Sequence, residues 1–135
     1  MRRLILLLSS LTLSGCVSNG VQALRPLEIA TAPYSALVTA APTGTLAYER
    51  GCLVFYDDRR NMALAPIWPD GTIFNGSSLI FHKPGRADQA VVLNQEFVLS
   101  GQPSSWSAVP GSRAALFQRQ CGGTPFLVAD VRPAN

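Results

Sequence analysis

From residue 36 onward the sequence carries a turn signal every eight to twelve residues. That spacing leaves room for strands and almost none for helices. Short apolar and β-branched runs stand between the signals, over residues 36–39, 44–50, 52–56, 62–68, 72–74, 77–81 and 89–99. The last of these is the longest, with Val91, Leu93, Gln95, Phe97 and Leu99 in one alternating set. Gly51 is expected to mark a bulge, and Pro66 to confine its strand to a sheet edge. Pro69-Asp70-Gly71 is a turn with a mechanism, because Pro fixes φ, Asp bonds backbone and Gly supplies positive φ. Asn75-Gly76 reads as a two-residue hairpin turn, and residues 101–111 as loop. Ser112 is placed to cap a short helix over 113–119, with Gly122-Gly123 ending it. A closing strand over 125–131 follows. The expected fold is all-β: a small OB-like β-barrel over residues 36–135, with one short helix before the last strand.

The chain's beginning is not fold. Arg2 and Arg3 precede the apolar run 4–8, and Leu13-Ser14-Gly15-Cys16 closes the leader. The run is too short to span a bilayer, which takes about 20 apolar residues. It reads as a signal peptide over 1–15. Its end resembles the lipobox of bacterial lipoproteins: an aliphatic residue, two small residues, then the cysteine whose thiol carries the lipid. Residues 16–35 then read as a lipidated cysteine and a tether that lets the domain stand off the membrane. A short helix over 21–27 is the one element expected there, limited by Pro26.

With Cys16 lipidated, Cys52 and Cys121 remain as an even pair. In an oxidising envelope such a pair reads as a disulfide. A bridge across 69 positions is worth about 4 kcal/mol in the chain-entropy model.

Cleavage before Cys16 leaves nine basic and eight acidic residues, a charge of +1. The basicity of the whole chain is thus largely leader, and the domain has no basic patch of the kind a nucleic-acid surface needs.

Gly44-Thr45-Leu46, Gly51-Cys52-Leu53-Val54, the run from Ile67-Trp68-Pro69 to Asp70-Gly71-Thr72, and Cys121-Gly122-Gly123 together resemble a family of small secreted or lipid-anchored bacterial proteins. Its pattern is a Gly-Cys-Leu-Val strand, a Trp-Pro-x-Gly-Thr turn and a late Cys-Gly. The resemblance covers residues 44–131. It implies a compact β-barrel with one disulfide and brings no activity with it. Where the family has a Gly-rich turn after its long strand, this chain has only Ser100-Gly101.

Catalytic signals are sparse. His82 is the only histidine and hence the sole candidate base of a Ser-His-Asp set; Ser77, Ser78 and Asp88 lie nearby in sequence. No G-x-S-x-G elbow surrounds a serine. No usual zinc set remains once two cysteines are paired. Asp57-Asp58 lacks the calcium-loop pattern and, beside Arg59-Arg60, reads as a solvated turn. Paired carboxylates for glycoside cleavage are a matter of space rather than sequence. Trp68 reads as core. Trp106, in the Ser-rich loop 104–107, reads as packing over a barrel mouth, with contact to a protein or glycan partner as its other reading.

The sequence therefore points to an envelope lipoprotein with a non-catalytic binding or structural domain. It needs no metal or cofactor, and its membrane contact runs through the lipid. Val17-Ser18 after the cysteine lacks the aspartate that retains lipoproteins in the inner membrane. In a Gram-negative host the expected location is the outer membrane, facing the periplasm. Two alternatives are carried forward. Val98-Leu99-Ser100-Gly101 resembles the start of the Ser-Gly-x-x-Tyr-like inserting loop of periplasmic lysozyme inhibitors, but the tyrosine is missing and Trp106 stands six residues after Ser100. The other is a small cell-wall hydrolase acting through His82.

Overall fold

The computed structural model describes residues 23–135; the leader and Cys16 lie outside them. Nine strands and one α-helix follow in order: β1 (Thr31–Ala32), β2 (Thr43–Glu49), β3 (Cys52–Asp57), β4 (Met62–Pro69), β5 (Ile73–Phe74), β6 (Ser78–Phe81), β7 (Gln89–Val92), β8 (Glu96–Pro103), a 3-10 turn (Trp106–Ala108), α1 (Arg113–Gln120) and β9 (Thr124–Pro133). The fold is mainly β, with the helix before the last strand.

Five strands close a barrel. β2, β3 and β4 form an antiparallel meander, and β8 pairs with β2 and with β9. β9 then returns parallel to β4, from Leu64↔Thr124 to Ile67↔Leu127, and completes the ring. This Greek-key closure is the OB-like architecture. A second sheet, β5-β6-β7, is inserted between β4 and β8. Its Phe74, Leu79, Phe81 and Val91 join Leu46, Phe55, Trp68, Phe97, Leu99 and Phe126 in the main core. The insert fills the barrel with side chains, and Trp68 is fully buried against Phe81, ring centroids 6.3 Å apart.

Several local expectations change. Gly51 marks no bulge: Arg50 and Gly51 both have positive φ, 53° and 78°, and form the two-residue turn between Glu49 and Cys52. That is the backbone a right-twisted hairpin requires. The β5–β6 turn lies one residue later than expected, at Gly76-Ser77, closed by the Asn75 N–H on the Ser78 carbonyl. The long run 89–99 is two strands, because Asn94 turns the chain at φ 64° and donates its N–H to the Leu46 carbonyl. β8 instead continues to Pro103, into the expected loop. Pro66 lies in an interior strand. It is tolerated because the β3 ladder ends at Leu64↔Phe55 and the β1 ladder begins only at Thr31↔Trp68. Residues 36–39 form no strand; Ala40 makes a single bridge to Gly101.

Residues 24–32, expected to be tether, pack on the domain. Residues 25–28 form a turn rather than a helix, with the Glu28 N–H on the Arg25 carbonyl. Ala30 and Ala32 are buried, and β1 runs parallel beside β4. Among the described residues the domain therefore already includes the segment before residue 36, which hides small apolar side chains at alternate positions.

Candidate functional site

Cys52 opens β3 and Cys121 ends α1. They are joined by a disulfide, and their Cα atoms are 5.7 Å apart, inside the range such a bond requires. Cys121 donates its N–H to the Phe117 carbonyl as it leaves the helix. The pair sits in a second apolar cluster with Ala30, Ile67, Val109 and Phe117. Trp106 packs over it. Its ring lies nearly parallel to that of Phe117, with centroids 5.9 Å apart and planes 8° apart. Half-buried, it leaves part of the indole open.

Glu28 and Arg113 tie the first turn of the domain to the helix. Arg113 Nε donates to Glu28 Oε1 at 2.7 Å, and Arg113 Nη2 donates to Oε2. The Arg25 N–H donates to the same carboxylate at 2.8 Å. Burial pushes the Glu28 carboxyl up, but these donors and the charges of Arg113 and Arg25 outweigh it and hold the carboxyl below its ordinary value.

His82 meets Asp88 at 2.9 Å, Nδ1 to Oδ1, and both side chains are exposed. The backbone N–H of His82 donates to Thr72 Oγ1. The Ser77 and Ser78 hydroxyls bond Asn75 instead, so the histidine–aspartate pair is not joined by a serine of that hairpin. Asp57 is buried and accepts the backbone N–H groups of Arg59 and Arg60, which is a turn-shaping role. Asp130 pairs with Lys83 and Arg86. Tyr56 donates its hydroxyl to Glu49, and that bond raises the Tyr56 pKa. Among the described residues no group of three or more His, Cys, Asp or Glu side chains is placed to hold a metal.

Ser100 and Gly101 do not reach a loop tip. They lie inside β8, paired with Asp130 and Val128 of β9 around a bulge. A Cβ on Gly101 would stand 2.0 Å from the Leu127 carbonyl oxygen. The glycine thus serves close strand packing.

The surface offers a groove of about 420 Å³ that sequence reading missed. Residues 39–43 form one wall, and Arg59, Arg60, Met62, Val98 and Arg132 line the rest. It mixes exposed guanidinium groups with apolar side chains. Four separate segments build it, and only the adjacent pair Arg59-Arg60 was visible beforehand. No family model, no curated protein and no solved structure matches this chain.

Proposed function

We propose that this is a lipid-anchored envelope protein whose domain binds or scaffolds rather than catalyses. The observation that carries the reading is the division of its three cysteines. Cys52 and Cys121 bond each other inside the domain. Cys16 stands apart at the end of a leader, after Leu13-Ser14-Gly15. A structural disulfide fits an oxidising compartment, and a lone cysteine after an apolar leader fits a lipid acceptor.

The non-catalytic part rests on how the reactive side chains are engaged. His82 pairs with Asp88 through Nδ1, but the Ser77 and Ser78 hydroxyls bond Asn75 and do not join that pair, and Glu28, Glu49, Asp57 and Asp130 are each held by a donor. The barrel interior is filled by aromatic and aliphatic groups. The arginine-rimmed groove and the open part of Trp106 are the surfaces we assign to a protein or glycan partner in the envelope. In a Gram-negative host Val17-Ser18 sends the protein to the inner leaflet of the outer membrane. Sucrose-gradient fractionation tests this: co-migration with outer-membrane markers is expected, and a Cys16→Ser protein should leave the membrane fraction.

A further inference from the structure

Three exposed arginines stand next to the place where the chain joins the domain. The Leu24 N–H donates to Gln120 Oε1 at 3.2 Å. The same Gln120 side chain reaches the β2–β3 turn, where its Nε2 lies 3.2 Å from the Cβ position of Gly51. Arg25, Arg50 and Arg119 are the sequence neighbours of these three meeting residues, and all three are exposed. Among the described residues no carboxylate oxygen lies within 4 Å of a guanidinium nitrogen of these three, and residues 1–22 contain no acid.

Charge is distributed unevenly as a result. The segments that meet here, residues 24–28, 49–51 and 113–120, carry Arg25, Arg50, Arg113 and Arg119 against Glu28 and Glu49, a balance of +2. The remaining five basic and six acidic residues of the mature chain sum to −1. The segments beside the point where the chain enters the domain therefore carry a positive excess.

Seven residues separate Cys16 from Leu24. Fully extended, seven residues reach at most about 25 Å, at roughly 3.3–3.6 Å each. The Debye length at physiological salt is about 8 Å, and a connection of that reach lets the basic face come within it of the anionic head groups that attract it. Resting on the lipid-anchor reading above, we infer that this face docks on the anionic phospholipid surface to which Cys16 is attached. β3 then sets the distance to the groove. Six residues from Cys52 to Asp57 span about 20 Å at roughly 3.3 Å each. The β3–β4 loop with Arg59 and Arg60 therefore faces away from the membrane, where a partner reaches it.

The test uses the lipidated mature protein in nanodiscs of phosphatidylethanolamine and phosphatidylglycerol with a gadolinium-bearing head group. Amides of Arg25, Gly51 and Gln120 should lose intensity, while those of Arg59, Asn61 and Arg132 keep it. The contrast should vanish in the triple variant Arg25→Gln, Arg50→Gln, Arg119→Gln, and in pure phosphatidylcholine. Equal broadening of both ends in anionic nanodiscs, with Cys16 acylated by mass, would overturn docking and leave the anchor standing. So would a contrast that survives the triple variant. An unacylated Cys16 would overturn the anchor and, with it, the docking.

Discussion

Arg113 on the helix grips Glu28 across 85 positions of sequence, through two hydrogen bonds to one carboxylate. That pair fastens the first turn of the domain to its last helix. The Glu28 carboxyl is held below its ordinary value of 4.5. A depressed carboxyl stabilises the fold at pH values above its unfolded value, and that stability is lost as pH falls through the folded value. Glu28→Gln should cost about 1–2 kcal/mol at pH 7, between an exposed pair and a fully buried one. Urea titrations at pH 7 and at pH 3 check it: the gap between the two proteins should shrink at the lower pH.

Cys52→Ala leaves Cys121 without a partner and opens the 69-position loop. The expected cost is roughly 2–5 kcal/mol by denaturant unfolding. Non-reducing peptide mapping of protein taken from the envelope should join the two segments. Two free thiols would be the contrary result.

Gly101→Ala should destabilise by about 2–3 kcal/mol, because its Cβ meets a backbone carbonyl that cannot move without the strand. Ser100→Ala, beside it, should change little. A lysozyme pull-down is expected to return nothing. Capture of lysozyme that depends on Ser100 would restore the inhibitor reading.

His82→Ala removes an exposed pair with Asp88. Thermal unfolding should put the loss below about 1 kcal/mol. A cell-wall hydrolysis assay should show no activity in either protein. Hydrolysis by the native chain that His82→Ala abolishes would contradict the non-catalytic reading.

The all-β class and the helix were legible because turn chemistry and the cysteine pair are local or countable signals. Gly71 takes the positive φ its turn requires, and the helix spans Arg113–Gln120 as expected to within one residue, although the Ser112 side chain makes no capping bond and Cys121, in extended conformation, ends it. The misread places are those where a residue takes a conformation its type rarely adopts, or where pairing decides the outcome. Arg50 at positive φ hid a hairpin turn, and Asn94 cut an alternating run in two. Ala30 and Ala32 gave no strand signal, since only β4 beside them makes a strand of that segment. The groove and the Glu28–Arg113 pair were invisible for the same reason: each joins segments that only the closed barrel brings together.

The fate of Cys16 separates a lipid-anchored protein from a free one. Intact mass and fragment spectra of the protein extracted from its own membranes decide it. A chain that begins at Cys16 and carries a diacylglycerol on the sulfur, with residues 1–15 gone, is the predicted result. A chain with a free Cys16 thiol, or one that still begins at Met1, would contradict it.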